Sequence, residues 1–259
     1  MRFGYGNNGP GGACWYAPAA SSFRVAAFAA RWLVLLVFVA ACNAQTPAPA
    51  VGTAKLENVL ENMDKSAAKF TSLIADLDYT KVTVIVNDRS TQNGRILFDK
   101  SGGKTRVMIA FTKPAQKYVL FAGGKVSLYQ PKIAEVQEYQ LSERQDLVEQ
   151  FLLLGFGTPG TELRKAYEVA FKGSENIAGQ DSYLLDLTPK SQKVAAQLTR
   201  IQLWISPQNW EPVQQKFFEP GGDYVISRYS NMKLNTRISD KEFRLPLKGK
   251  VRTVRPQAP

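Results

Sequence analysis

The sequence predicts a mainly β domain (α+β) of antiparallel hairpins with a few covering helices, and three observations carry this. From Leu73 onward, short segments rich in β-branched and aromatic residues alternate apolar with polar. Turn signals such as Asn93-Gly94, Ser101-Gly102-Gly103 and Ala122-Gly123-Gly124 separate them. No helical period lies between successive strands, so nothing supplies the crossovers that a parallel sheet needs.

The start of the chain reads as a targeting signal, residues 1–41. Arg24 and Arg31 give it a positive flank, and Trp32 to Ala41 give an apolar run too short for a transmembrane helix, which needs about 20 residues. The run ends in Val39-Ala40-Ala41-Cys42, similar to the site where a bacterial lipoprotein is cut and its cysteine acylated. Cys42 is therefore the expected lipidation site. Ordinary secretory cleavage after Ala44 and an uncleaved anchor from Val25 to Cys42 are the competing readings. The Gly/Asn/Pro-rich beginning, with Cys14, reads as an over-extended start. Residues 42–54 form the lipidated cysteine and a flexible tether, small and Pro-rich from Asn43 to Gly52.

A helix is expected next, because Leu56, Val59, Leu60, Met63 and Ala67 recur at spacings of three and four. Leu73 to Val86 then reads as a strand, followed by the Asn93-Gly94 turn and strands at Arg95 to Lys100, Lys104 to Phe111, Lys117 to Phe121 and Lys125 to Tyr129. Ser142 begins a helix whose apolar face includes Leu147, Val148, Phe151, Leu152 and Leu154, broken by Gly155 to Gly160. Thr161 to Ala166 offers a short helix. Strands resume at Tyr167 to Lys172, Ser182 to Thr188, Arg200 to Ile205, Val213 to Glu219 and Tyr224 to Leu234. Phe243-Arg244-Leu245 reads as the last strand, ended by Pro246. The domain is expected to run over 55–254, with 255–259 as a tail.

Composition removes most chemistry. The chain has no histidine, hence no imidazole base or ligand. Of its two cysteines, Cys14 leaves with the signal and Cys42 carries lipid, so no disulfide or thiolate remains. From Cys42 on, 30 basic residues stand against 22 acidic ones, and this balance of +8 favours anionic surfaces, which in an exported protein are lipid headgroups rather than nucleic acid. Ser66-Ala67-Ala68-Lys69 and Ser101-Gly102-Gly103-Lys104 match Ser-x-x-Lys, but the companion Ser-Asp-Asn and Lys-Thr-Gly elements of that chemistry are missing. Gly103-Lys104-Thr105 lacks the first glycine of a phosphate loop, since Phe98 stands there. Asp76 and Asp78 alternate on a strand, where carboxylates simply face water. The apolar surplus is more informative: it fits an ordinary sheet core, or a curved sheet whose concave face holds an apolar ligand.

Several ordered motifs carry a resemblance. They are Gly94-x-Ile96-x-Phe98; Val119-x-Phe121-x-Gly123-Gly124-Lys125-x-Ser127-Leu128-Tyr129-x-Pro131; Leu187-Thr188-Pro189-Lys190; Ile201-x-Leu203-x-Ile205 with Pro212-Val213; Tyr229-x-Asn231-x-Lys233-Leu234-Asn235; and Asp240-x-x-Phe243-x-Leu245-Pro246. From Leu56 to Val254 the chain resembles the LolA/LolB superfamily of envelope lipoprotein carriers. The resemblance implies an incomplete antiparallel β-barrel with a helical lid, a cavity for acyl chains, no catalysis, no cofactor and no metal. On that template the cavity falls to Leu77, Tyr79, Phe98, Ile109, Phe111, Phe121, Leu203, Ile205 and Phe217, and the lid to Leu147, Phe151 and Leu154. Lys104, Arg106 and Lys113 are candidates for headgroups at the mouth, against the plainer reading of solvated face residues.

The family's carriers tie lid to barrel through an arginine in the second hairpin. The matching turn here is Lys100-Ser101-Gly102-Gly103, with Arg106 the nearest arginine. A lipidated Cys42 fits a tethered acceptor better than a soluble carrier, and Asn43 after it leans toward the outer membrane, facing the periplasm. The implied partners are acyl chains of lipoproteins or phospholipid, the membrane through Cys42, and donor or acceptor proteins of lipoprotein sorting, with the chain itself a monomer. A regulatory module that senses lipoproteins or joins a membrane complex is the alternative.

Overall fold

In the computed structural model, residues 51–141 and 154–256 are described. Helix α1 (Val51–Ala67) leads into strands β1 (Ser72–Thr83), β2 (Asp88–Asp99), β3 (Arg106–Lys113), β4 (Lys117–Ala122), β5 (Lys125–Gln130) and β6 (Glu135–Gln140). Then follow α2 (Gly160–Ala166), β7 (Tyr167–Ile177), β8 (Gln180–Pro189), the short α3 (Gln192–Ala195), β9 (Arg200–Ile205), β10 (Pro212–Phe218), β11 (Tyr224–Leu234) and β12 (Arg252–Val254). The strands form one 12-stranded sheet in the order β12-β6-β5-β4-β3-β2-β1-β11-β10-β9-β8-β7. Neighbours are antiparallel except β12, which runs parallel to β6. β7 and β12 end the sheet without pairing to each other, so the barrel is incomplete, as expected.

Helix α1 takes in the last residues of the expected tether: after Pro49 nothing in Val51-Gly52-Thr53-Ala54 forbids helix. Its apolar stripe, Val59, Leu60, Met63 and Ala67, is buried. The stripe packs on the inner face of β8 and β9, against Leu185, Leu187, Ile201, Leu203 and Ile205. Burying side chains of this size contributes roughly 1.5–3 kcal/mol each. Helix α2 crosses α1 so closely that a Cβ on Gly160 would stand 2.4 Å from the Leu60 carbonyl oxygen. Asp64 of α1 accepts from the Thr161 backbone and hydroxyl, at 3.1 and 3.0 Å, and so satisfies an orphan amide at the start of α2.

Some expectations need correction. Asn93-Gly94 is not a turn but lies within β2, at a register shift against β3. Glycine stands there because a Cβ would meet the Ala110 carbonyl oxygen at 2.3 Å and the Phe111 Cα at 2.7 Å. The β1–β2 reversal instead falls at Val84 to Asn87, where Asn87 N donates to Val84 O at 3.1 Å with Asn87 at φ 48. Phe243-Arg244-Leu245 is not a strand. A 3-10 turn, Asp240–Phe243, lays Phe243 over Leu97 and Met108 on the outer face, and Leu245 packs beside them. β6 and β12 were not expected. β6 continues the meander after β5, whereas β12 is recruited by pairing with β6 across a long sequence gap. The lid residues Leu147 and Phe151, and Cys42, lie outside the described residues.

Candidate functional site

Strand alternation decides which side chains reach the interior. Leu73 pairs with Phe98, Phe98 with Val107 and Val107 with Phe121, so these share the inner face of β1 to β4. The same ladders bring Leu77, Tyr79, Ile109 and Phe111 inward, and β11, β10 and β9 continue the face with Tyr229, Gln215 and Leu203. Toward the strand ends that carry Tyr79, Phe217 and Val225, the face is not filled. A cavity of about 610 Å³ lies there, walled by Leu77, Tyr79, Ile96, Ile109, Phe217, Val225 and Tyr229, with Ala196, Gln197 and Leu198 reaching it from just after α3. This volume is within the range of small-molecule sites, about 300–1,000 Å³. A second hollow of about 350 Å³ adjoins it, sharing Tyr79 and Ile109 and adding Phe111, Lys117 and Val119.

The cavity walls are mostly apolar, with the polar Gln197, Gln215 and Ser227 and the acid Glu219 among them, and Lys81, Asp88 and Lys117 line the adjoining hollow. Glu219 borders the cavity and pairs with Lys81 at 3.6 Å. Burial, and then the charge of Glu219, push the Tyr79 phenol above its ordinary pKa, so it stays neutral. Its ring meets Phe111 edge-on, with centroids 6.0 Å apart. Burial lowers the Lys117 ammonium, whose Nζ lies 4.6 Å from the Phe111 ring centre. Such placement trades part of the ammonium's hydration for a ring face.

The deep end of the cavity is polar but satisfied. Tyr229, buried and raised in pKa by that burial, donates from its hydroxyl to Gln215 Oε1 at 2.7 Å. Gln215 Nε2 in turn donates to the Leu154 carbonyl. Phe156 meets the Tyr229 ring edge-on at 4.8 Å. Residues 154–157 thus seat the end of the expected lid segment inside the sheet, with Leu154 and Phe156 both buried. Lys100 Nζ donates to the Gly157 carbonyl at 3.4 Å, so the turn aligned with the family's arginine hairpin holds this segment through a lysine.

Of the residues expected at the cavity, Leu77, Tyr79, Ile109 and Phe217 line it and Phe111 lines the adjoining hollow. Phe98, Phe121, Leu203 and Ile205 face inward but are packed in the core, Phe98 against Phe70 at 5.3 Å and the two β9 residues beneath α1. Leu154 is buried in the α1 cluster. The headgroup candidates divide. Arg106 is not at a mouth: it sits on the outer face at the opposite strand ends, bound to Asp99 at 2.5 Å and Asp240 at 2.7 Å, with its guanidinium 4.4 Å from the Phe243 ring centre. Lys104 lies at that same far end. Only Lys113, exposed at the end of β3, shares the cavity's end of the sheet. Sequence reasoning missed Tyr229, Gln215 and the Ala196–Leu198 segment. Alternation alone hid the first two: Tyr224, Ile226, Met232 and Leu234 make the opposite parity of β11 the more apolar, and Gln215 is one of two adjacent glutamines in β10.

The sequence matches the family described as outer membrane lipoprotein carrier protein LolA over residues 68–246, more than half of the chain. The chain belongs to the LolA family. Among curated proteins, none matches the sequence. Solved structures similar to this LolA-family chain include a lipoprotein, LppX, from Mycobacterium tuberculosis, with 13% identity, 71% of this chain and 98% of that one covered, and a TM-score of 0.45. An outer membrane lipoprotein-sorting protein domain from Vibrio parahaemolyticus shows 14% identity, 73% and 97% coverage and a TM-score of 0.39. MucB in the MucA/MucB complex of Pseudomonas aeruginosa shows 14% identity, 77% of this chain and 64% of that one covered, and a TM-score of 0.46.

Proposed function

We propose that this chain is a non-catalytic carrier or acceptor that buries acyl chains of lipoproteins or phospholipid in the cell envelope. The observation that carries this reading is the apolar hollow of about 610 Å³ between Leu77, Tyr79, Ile109, Phe217 and Tyr229. Each CH₂ left in water costs about 0.8 kcal/mol, so a free acyl chain needs a dry, uncharged wall. These walls are largely apolar, and the one acid that borders them, Glu219, is paired with Lys81. Membership of the LolA family supports the same cargo class. In this reading Cys42 is acylated and tethers the domain to a membrane, the outer membrane facing the periplasm, and no bond of the cargo is made or broken.

Mass spectrometry of organic extracts from the purified Cys42→Ser chain tests the cargo. Acyl lipid is expected in the extract, and less of it from a Phe217→Asp variant. A protein that is empty and also fails to take up labelled lipoprotein would contradict the reading, and a stable protein partner in its place would favour a sensing module. Fractionation of Cys42→Ser tests the anchor separately: membrane association should be lost.

A further inference from the structure

The β1–β2 turn carries Val84, Ile85 and Val86, which are 50%, 87% and 69% exposed. Turns ordinarily take Gly, Asn, Asp, Pro or Ser, and three adjacent β-branched apolar residues are poor turn formers that cover no core here. The turn is nonetheless fixed. Asn87 N donates to Val84 O at 3.1 Å, and the Asp223 carboxylate accepts from Val84 N at 2.9 Å. The side chains are therefore held outward rather than left to collapse. On its β3 side the hairpin overhangs the sheet, since β1 and β2 pair as far as Thr83 and Asp88 whereas β3 joins β2 only from Asn93; on the other side β11 accompanies β1 to Val82.

We propose that this apolar tip enters the acyl region of a phospholipid bilayer and sets the cavity mouth against the membrane. A bilayer fits better than a protein. Three side chains on one convex turn are far short of the roughly 800 Å² per partner of a stable protein interface. Shallow insertion needs only a small apolar point on a polar base. Lys81, Arg89, Asp88 and Asp223 form that base. Of the acidic groups near it, Glu219 pairs with Lys81 and Asp223 with the turn, while Asp88 stands exposed beside the tip. From Cys42 on the chain carries 30 basic against 22 acidic residues, a surplus that favours anionic leaflets. The same hairpin supplies Tyr79 to the cavity and Lys81, Thr83, Ser90 and Gln92 to the adjoining hollow. Insertion of the tip stands without the cargo reading, and only the alignment of the mouth rests on it.

The test places an indole at the tip of the full chain, Ile85→Trp, and compares it with Leu247→Trp, an exposed position on the C-terminal segment. Both proteins are bound to vesicles of phosphatidylglycerol and phosphatidylethanolamine with brominated acyl chains. The added emission at 85 is expected to shift to the blue and be quenched, while that at 247 stays water-like. Emission at 85 that matches 247 on vesicle-bound protein would overturn the proposal, whatever lipid the cavity yields on extraction.

Discussion

Glu211, 1% exposed at the entry to β10, accepts a hydrogen bond from the Ser66 hydroxyl of α1 at 2.8 Å. Its other carboxylate oxygen accepts from Gly157 N at 3.1 Å. One buried acid thus joins the helix that covers the sheet to the segment that follows the expected lid. Burial pushes this carboxyl up to about 7, against the pull of Gly157, Ser66 and the Lys100 charge.

The sign of the resulting pH dependence is fixed by that direction. The folded protein keeps a proton that the unfolded chain releases near pH 4.5, so this contribution to stability is complete below pH 4.5. It is lost as pH rises to about 7, by up to roughly 3 kcal/mol. Denaturant unfolding at several pH values should show the decline in the wild type, and Glu211→Gln should flatten it between pH 5 and 8 (about the window of the titration).

Tyr229→Phe should cost about 1–3 kcal/mol, because the Gln215 oxygen would be left buried without its donor. Urea unfolding checks this. The variant should also loosen the 154–157 segment, seen as faster amide exchange at Phe156 and Gly157.

Arg106→Ala should free the C-terminal segment from the outer face. Burial alone would raise the Asp99 carboxyl, but hydrogen bonds from Arg106 and Ser101 outweigh it and hold the group below its ordinary value. Its contribution is present at neutral pH and lost as pH falls through that lowered value. The variant should lose about 1.5–3 kcal/mol at neutral pH, with limited proteolysis appearing first beyond Ser239.

Gly94→Ala should destabilise by about 1–3 kcal/mol, since the methyl would collide with backbone of β3 rather than with a yielding side chain. Thermal unfolding reads the loss, and Gly52→Ala, in α1 with open space around its Cβ, should show no loss and a small gain from helix propensity.

What was legible in the sequence follows from short-range physics. Alternation from Leu73 to Tyr79 gave the inner face of β1, and the spacing of Val59, Leu60 and Met63 gave the buried stripe of α1. What was hidden depends on distant partners. Gly94 reads as a turn residue until the Ala110 carbonyl is seen against it, and Val84-Ile85-Val86 reads as strand because its turn lacks turn residues. Leu203 and Tyr79 carry the same signal of an inward apolar residue. Only the docking of α1 over β8 and β9 makes one core and leaves the other facing empty space. Arg106 looked like a mouth residue because one of the two carboxylates that hold it, Asp240, lies far along the chain, beyond the last long strand.

The most direct test fills the hollow. Ile109 borders both the cavity and its neighbour, so Ile109→Trp should occupy the space without disturbing the α1 core. Titration of the Cys42→Ser chain with a fluorescent fatty-acyl probe should show saturable binding and an apolar emission, and Ile109→Trp should abolish it while unfolding like the wild type. Undiminished probe binding by a folded Ile109→Trp protein would contradict an acyl site between these strands.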